Sequence, residues 1–128
     1  MDLIIGGAYA GKLTYAVKEY GLSQGSLFDL AHGLPAPRSA PCCLYHLEAF
    51  TRACAVSSMR AEEVAAALAP FTDERHAVIV SREIGCGIVP MDALERAYRE
   101  LHGQVLALLA AKAARVVRIF AGIEEVLK

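Results

Sequence analysis

A glycine-rich turn near the start of the chain constrains the fold more than any other stretch. The apolar residues 3–5 predict a buried strand that breaks at Gly6 and Gly7, and a helical pattern begins near Gly11 and Lys12. Two glycines separated by four residues and followed by lysine have the spacing of a phosphate-binding P-loop. Backbone N–H groups in such a loop turn inward around an anion, and the helix N-terminus and the lysine add positive charge. The alternative is a turn that joins a strand to a helix by chance.

The residue after the lysine departs from the P-loop pattern. A complete motif has serine or threonine there as a ligand of Mg²⁺, whereas this chain has Leu13. Thr14 does not replace it, because one step along a helix is a rotation of about 100°. The sequence therefore favours phosphate binding over phosphoryl transfer, makes Mg²⁺ doubtful as a cofactor, and predicts no metal ligand. The predicted nucleotide-binding residues are Gly6, Gly7, Ala8, Tyr9, Ala10, Gly11, Lys12, Leu13 and Thr14.

Length and composition limit the class of protein. A chain of 128 residues predicts one domain spanning 1–128, and 55% hydrophobic with 21% charged residues predicts a globular chain. A net charge of −1 without a basic run argues against nucleic acid and anionic membranes as partners. The longest apolar region, 105–122, is interrupted by three basic residues, which argues against a membrane span. We expect a cytoplasmic protein without a targeting segment, and its alanine-rich helices favour self-association.

The four cysteines do not form a recognisable metal or disulfide framework. They are Cys42, Cys43, Cys54 and Cys86, and no two of them have the C-x-x-C spacing. The sequence therefore predicts buried, reduced cysteines in a cytoplasmic protein.

The rest of the chain alternates short apolar runs with helical patterns. After the first helix, which Gly21 ends, strands are predicted at 26–31, 42–45, 77–80 and 116–120, the last stopped by Gly122. A second helix is predicted at 47–56, and Ser58 is predicted to cap a third that Pro70 ends. Asp92 opens the longest helix, whose predicted apolar positions are Leu94, Ala97, Tyr98, Leu101, Val105, Leu108 and Leu109. The stretch 34–41, with three prolines, predicts a loop.

Alternating strands and helices predict an α/β protein with a mostly parallel sheet. Ligands of such sheets bind beyond the carboxyl ends of the strands. Three segments are expected at that edge: the loop 6–12, the turn at His32, and the loop 82–90. We therefore predict that they share one site.

Glu83 is the predicted catalytic residue. A carboxylate at a strand end can orient water or accept a substrate proton; the alternatives are a solvated residue or an ion pair with Arg82. His46 is interpreted as a base or nucleophile, or alternatively as a hydrogen-bonded core residue. Glu48 is expected near the same edge, where it could supply a displaced carboxylate.

Four further residues carry weaker interpretations. Asp29 lies on a predicted strand and has no predicted partner. Arg38, in the proline-rich loop, could reach a phosphate or be solvated. Gly85 and Gly87 permit tight backbone geometry whether or not a ligand approaches.

A family resemblance rests on two stretches, GGAYAGK at residues 6–12 and VIVSREIGCGIVPMDALERAYRELHGQV at residues 78–105. Together they resemble the adenosylcobinamide kinase / adenosylcobinamide-phosphate guanylyltransferase family, which are bifunctional P-loop enzymes of cobalamin assembly. The resemblance implies a RecA-like fold of reduced size, a homotrimer, and use of ATP or GTP with Mg²⁺. It matches Gly6, Gly7, Gly11 and Lys12 to the phosphate loop, and Glu83 and Gly85 to a Glu-x-Gly motif.

The chain also departs from this family. Leu13 stands where the family has serine, the middle of the chain is shorter, and the histidine that accepts the guanylyl group has no counterpart. Tyr45 or His46 stands where the family has a metal-side carboxylate. We therefore predict a divergent cobinamide kinase-like protein that binds nucleotide, with weak or no phosphoryl transfer to a corrinoid hydroxyl and no guanylyltransfer. The alternative is a pseudoenzyme that acts by assembly or regulation without nucleotide turnover.

Overall fold

A computed structural model of the protein describes residues 1–37, 41–73, 77–84 and 92–128. One sheet holds the strands together in the order β2-β3-β4-β1-β5-β6. The strands are β1 (Asp2–Gly6), β2 (Leu27–Asp29), β3 (Cys42–Tyr45), β4 (Ala77–Arg82), β5 (Arg115–Phe120) and β6 (Ile123–Val126). The helices are α1 (Lys12–Tyr20), α2 (Leu47–Val56), α3 (Ala61–Thr72) and α4 (Ala93–Lys112). The first five strands are parallel and β6 is antiparallel to β5, which confirms the predicted α/β class.

Strand β1 lies at the centre of the sheet. Its Leu3 is in register with Ile79 of β4 on one side and with Val116 of β5 on the other. All three side chains are buried. Continuous apolar runs such as these are typical of parallel strands that are covered on both faces.

The two faces of the sheet bury different side chains, because successive residues of a strand point to opposite sides. Leu3 and Ile79 pack with α2, α3 and α4 in the larger core cluster. Ile4 and Val80 pack on the other face, against Ala16 of α1. The sheet is therefore covered by three helices on one face and by α1 on the other.

Helix α3 begins later than the sequence predicts. Ser58 adopts a left-handed conformation with φ of 56° and ends α2 instead of capping α3. Its N–H donates to the Ala55 carbonyl, and the Met59 N–H donates to the Cys54 carbonyl, which is the Schellman pattern. Arg60 precedes α3, and its N–H donates to the Glu63 carboxylate at 3.1 Å.

Pro70 does not end α3, which continues to Thr72. Proline removes one hydrogen bond to the preceding turn, and this loss falls so close to the end of the helix that the last turn still forms. The buried side of α3 contains Val64, Leu68 and Phe71, as predicted.

The predicted apolar side of α4 is partly wrong. Leu94 and Leu108 are each 39% exposed, and Ala97 is exposed as well. His102 is fully buried on the inward side of α4. The apolar pattern of the sequence does not predict a polar residue there.

Two strand predictions also need correction. Only Leu27–Asp29 of the predicted strand 26–31 is extended, between single 3₁₀ turns at Gln24–Ser26 and Leu30–His32. The strand at 116–120 is not the last, because Ala121 and Gly122 both have positive φ and turn the chain back into β6. Such a two-residue turn matches the twist of a hairpin.

Cys42, Cys43 and Cys54 are buried and reduced, with no disulfide among the described residues, as the sequence predicts. Burial raises the pKa of the Cys43 thiol to about 12, so it stays protonated at neutral pH. Cys86 lies outside the described residues. Within the described part of the chain, no helix is both long and apolar enough to cross a membrane.

Candidate functional site

A cavity of about 600 Å³ opens at the carboxyl edge of the sheet. Its walls come from the loop after β1, the start of α1, the end of β3, the start of α2 and the end of β4. The lining residues are Ala8, Tyr9, Ala10, Gly11, Lys12, Leu13, Thr14, Tyr45, His46, Glu48, Val80, Ser81 and Arg82. The cavity lies at the edge that the predicted topology assigned to a ligand.

The loop between β1 and α1 is fixed where it leaves the sheet. A Cβ atom on Gly6 would lie 2.4 Å from the carbonyl oxygen of Ile119, so only glycine fits between β1 and β5. The Gly6 carbonyl accepts a hydrogen bond of 2.9 Å from the Glu83 N–H. These contacts place the start of the loop against both neighbouring strands.

The far end of the loop is fixed by glycine geometry and by the hairpin turn. Gly11 directly precedes α1 and has a φ of 90°. Residues with a side chain rarely adopt this conformation, because it strains their backbone. The Ala10 carbonyl accepts a hydrogen bond of 3.0 Å from the Gly122 N–H between β5 and β6. Contacts within the chain therefore fix both ends of the loop.

The N-terminus of α1 has no side-chain cap among the residues that the structure describes. Its first turn contains no acidic residue. Unpaired N–H groups and the positive end of the helix dipole favour an anion at such a position. Leu13 and Thr14 lie in this turn and line the cavity.

Lys12 folds back over the loop. Its ammonium donates to the Gly7 carbonyl at 2.5 Å. Burial lowers the pKa of Lys12; the nearby Glu48 opposes this shift, whereas Arg82 adds to it. The ammonium is held by a neutral carbonyl rather than by a carboxylate, so a phosphate oxygen can take the place of that carbonyl.

The opposite wall begins where β3 ends. His46 has φ of 60° and ψ of 42°, a left-handed conformation that is uncommon for a residue with a side chain. Its carbonyl accepts from the Ala49 N–H at 3.0 Å, and α2 starts at the next residue. Glu48, in the first turn of α2, accepts from the Arg82 N–H at 3.1 Å and so links α2 to the end of β4.

His46 forms a pair with Asp29 that the sequence analysis did not predict. Its Nδ1 lies 2.9 Å from Oδ1 of Asp29, which also accepts from the Ala31 N–H at 2.9 Å. Desolvation raises the pKa of Asp29, but the Ala31 N–H and His46 together hold it below its usual value. The side chain of His46 is 52% exposed. The interpretation of His46 as a core residue is therefore wrong.

The pair follows from the positions of the two residues in the sheet. Asp29 ends β2 and His46 follows β3, and these strands are parallel neighbours. The carboxyl ends of parallel neighbours meet at one edge. This is the signal in the sequence that could have identified the pair.

Glu83 lies beside the cavity and not among its lining residues. Its carboxylate accepts from the Arg118 guanidinium at 3.1 Å, so the ion-pair partner is Arg118 rather than Arg82. The catalytic role of Glu83 remains a prediction. His32 is 86% exposed, lies 3.9 Å from Asp29, and does not line the cavity. Gly85, Gly87 and Arg38 lie outside the described residues.

A second histidine, buried below the cavity, supports the end of β4. Nε2 of His102 lies 3.0 Å from the Arg82 carbonyl and 3.1 Å from Oγ of Ser81. Its Nδ1 lies 2.7 Å from Oγ1 of Thr51 in α2. Because the Arg82 carbonyl can only accept, Nε2 carries a proton. The Thr51 hydroxyl has one proton and lies within hydrogen-bond distance of both Nδ1 of His102 and the Glu48 carbonyl, which is 3.1 Å away.

The sheet, the loop and the cavity together define a small P-loop-like α/β protein. The chain belongs to the cobinamide kinase / cobinamide phosphate guanyltransferase family, whose sequence profile matches residues 43–127. This match confirms the resemblance of residues 78–105. The matched span runs from β3 to the end of the hairpin and does not include the loop 6–12. Among the curated proteins compared with the chain, none matches it.

Proposed function

We propose that this protein is a cobinamide kinase-like component of cobalamin biosynthesis that binds ATP or GTP in the cavity at the carboxyl edge of the sheet. The proposal rests chiefly on one observation. Residues of the loop 6–12 and of the segment that matches the family line the same cavity of about 600 Å³. Cavities of roughly 300–1,000 Å³ hold small ligands and cofactors.

The loop supplies the first group of phosphate contacts. Lys12 exchanges its neutral Gly7 carbonyl partner for a charged phosphate oxygen, and charge-assisted hydrogen bonds are roughly twice as strong as neutral ones. The uncapped first turn of α1 adds N–H donors. Binding is favoured because Lys12 exchanges a neutral carbonyl for a charged phosphate oxygen, and this exchange requires no change in the shape of the loop.

Arg82 supplies a second cation. It lines the cavity, and its charge contributes to the lowered pKa of Lys12, so the two cations face the same space. A phosphate between them removes this repulsion. The planar guanidinium suits two oxygens of one phosphate.

Glu48 is the residue that could hold Mg²⁺ beside a nucleotide. It lines the cavity, and Leu13 offers no oxygen ligand. Mg²⁺ usually keeps several waters and needs only one or two carboxylates together with substrate phosphates. No group of three potential ligands is present in the described residues, so we expect metal to bind only together with nucleotide.

Departures from the family set the expected activity. With Leu13 in place of a hydroxyl, and with Tyr45 or His46 where the family has a carboxylate, we expect weak or no phosphoryl transfer to a corrinoid hydroxyl and no guanylyltransfer. The alternative, a relative without turnover that acts by assembly or regulation, is favoured by the same substitution at Leu13.

We further propose that the protein forms a homo-oligomer in the cytoplasm, a trimer if it follows the family. Strand β6 is exposed along its whole length, and Phe120, Ile123 and Val126 are more than half exposed. An exposed strand at a sheet edge has backbone groups that can pair with another chain, and the exposed apolar side chains here add surface for such a contact. Light scattering coupled to size-exclusion chromatography tests the mass, and a monomer at micromolar concentration would contradict the assembly.

The nucleotide proposal is tested by calorimetric titration of ATP and GTP, with and without Mg²⁺. Lys12→Ala should weaken binding about 10- to 100-fold, the equivalent of a lost hydrogen bond to a charged group. Lys18→Ala, an exposed lysine of the same helix, is the matched control and should bind as the wild type does. Absence of heat and of a thermal shift at millimolar nucleotide would refute the proposal.

Turnover is tested separately with γ-labelled nucleotide and adenosylcobinamide. Transfer of label to the corrinoid supports the kinase, whereas tight binding without transfer supports the alternative.

A further inference from the structure

Asp29 and His46 form a hydrogen-bonded pair, and His46 lines the cavity. Asp29 is an acceptor when ionised, so the Nδ1 atom of His46, 2.9 Å away, carries the imidazole proton. The lone pair of a neutral imidazole is then on Nε2. Within the part of the chain that the structure describes, Nε2 of His46 has no hydrogen-bond partner, although His46 lines the cavity.

The distance across the sheet suits a reaction at a terminal phosphate. Strand β4 separates β1, which leads into the loop, from β3, which leads into His46. Neighbouring strands are roughly 4.8 Å apart, so the two strand ends are about 10 Å apart. The loop that carries Lys12 and the residue His46 thus follow strands on either side of β4, and the separation of about 10 Å between those strand ends leaves room for a phosphoryl group and the hydroxyl that attacks it.

The backbone at His46 supports a functional role. Its left-handed conformation, with φ of 60°, costs free energy unless the surroundings impose it. The conformation turns the chain between β3 and α2, and the side chain is fixed by Asp29. His46 therefore combines a strained backbone with an imidazole that Asp29 orients, and it lines the cavity.

We propose that His46 is the general base for the phosphoryl transfer of this protein and that Asp29 is its positioning residue. This inference rests on the proposed function. The oxygen of the acceptor hydroxyl attacks the γ-phosphorus, and a new oxygen–phosphorus bond forms. The bond from the γ-phosphorus to the bridging oxygen breaks, and the nucleoside diphosphate leaves with that electron pair. The hydroxyl proton passes to Nε2 of His46 and from there to water.

The neighbouring charged groups fit this role. Asp29 and His32 lie on the β2 side of His46, and Glu48, Arg82 and Lys12 share its cavity. Lys12 and Arg82 hold the phosphates, whereas Asp29 stabilises the imidazolium that forms when the proton is taken up. The catalytic-triad arrangement of an acid orienting a histidine uses the same logic.

The test compares His46→Gln, Asp29→Asn and His32→Gln by single-turnover transfer from γ-labelled nucleotide to adenosylcobinamide, with nucleotide affinity measured in parallel. General bases contribute roughly 10²- to 10⁴-fold, so His46→Gln should lower the rate at least 100-fold and leave nucleotide affinity within threefold. Asp29→Asn should lower it less. His32→Gln is the matched control, because His32 is also near Asp29 but outside the cavity, and its rate should not change.

The pH profile separates a base from a structural residue. Wild-type transfer should fall on acidification as the imidazole takes up a proton, and the residual rate of His46→Gln should lack that limb. A rate for His46→Gln within threefold of wild type overturns the inference. Label retained covalently on His46 overturns it as well, since the residue would then be a nucleophile.

Failure of the inference and failure of the proposed function give different results. Wild-type protein that binds nucleotide through Lys12 but transfers no phosphoryl group overturns the role of His46 and leaves nucleotide binding intact. Protein that does not bind nucleotide at all overturns both.

Discussion

Protonation of the buried His102 should make the protein less stable in mild acid. The side chain is fully buried, and burial lowers its pKa from the ordinary value of 6.5, against the opposing effects of the Arg82 carbonyl and Glu48. The unfolded chain therefore binds a proton that the folded protein resists. The stability associated with neutral His102 is present above about pH 6.5 and is lost as the pH falls below it.

The magnitude follows from linkage. If the folded protein takes up no proton at His102, lowering the pH from 7.5 to 5.5 costs about 1.4 kcal/mol of the free energy of unfolding, which is the ceiling for one histidine. Carboxyl groups titrate near pH 4 and contribute little in this window. The effect is large enough to measure by urea unfolding at a series of pH values.

The matched pair of variants is His102→Gln and His32→Gln. His102→Gln should be less stable at pH 7.5 by about 1–3 kcal/mol, because it disturbs the buried hydrogen bonds of His102 to Thr51, Ser81 and the Arg82 carbonyl. Its stability should nevertheless change little between pH 7.5 and 5.5. His32→Gln removes an exposed histidine and should keep the wild-type slope. A wild-type slope in His102→Gln would refute the reasoning.

Three further predictions concern the loop and the longest helix. Gly6→Ala should destabilise the protein by about 2 kcal/mol or more, because its Cβ would meet the Ile119 carbonyl; Gly7→Ala, which meets nothing within 4 Å, is the control, and equal denaturant midpoints would contradict the clash. Leu13→Ser should make nucleotide binding depend more on Mg²⁺, and calorimetry showing an unchanged metal response would mean that the missing hydroxyl is not the cause. Asp92→Ala should cost about 1 kcal/mol in thermal unfolding, since Asp92 accepts from two N–H groups of the first turn of α4; an unchanged midpoint would show that the cap is dispensable.

The boundaries of strands and helices that depend on neighbouring residues in the sequence are predicted accurately. Strand β3 and helix α2 have the boundaries that the sequence predicts, because an apolar run and a helical pattern adjoin there without competing signals. Ser58 was misinterpreted because a serine before two glutamates is a typical N-cap pattern, yet the chain needs a left-handed residue there to end α2. Strand β6 was missed because it is exposed on every residue and therefore has no apolar alternation.

The candidate site was predictable on the side of the loop and not on the opposite side. The spacing of Gly6, Gly11 and Lys12 is a local property of the sequence. The contacts of Asp29 with His46, and of His102 with the end of β4, join residues separated by 17 and by 20 positions. These contacts depend on the order of the strands and on how the helices pack, and neither can be inferred from neighbouring residues in the sequence.

The charges in the cavity fit the proposed binding of a polyphosphate by a loop that lacks the Mg²⁺-binding hydroxyl. In a complete P-loop, the metal offsets part of the phosphate charge. Here Lys12 and Arg82 line the same space, and Glu48 is the carboxylate among the lining residues. The uncapped end of α1 adds a further positive potential. Among the lining residues that the structure describes, two cations therefore face one carboxylate before any metal binds, so affinity for nucleotide and dependence on Mg²⁺ can be tested separately. Under the proposed function, a leucine at position 13 should weaken the assistance that metal gives to phosphoryl transfer, and phosphate binding should depend on the cations and backbone amides that the fold already provides.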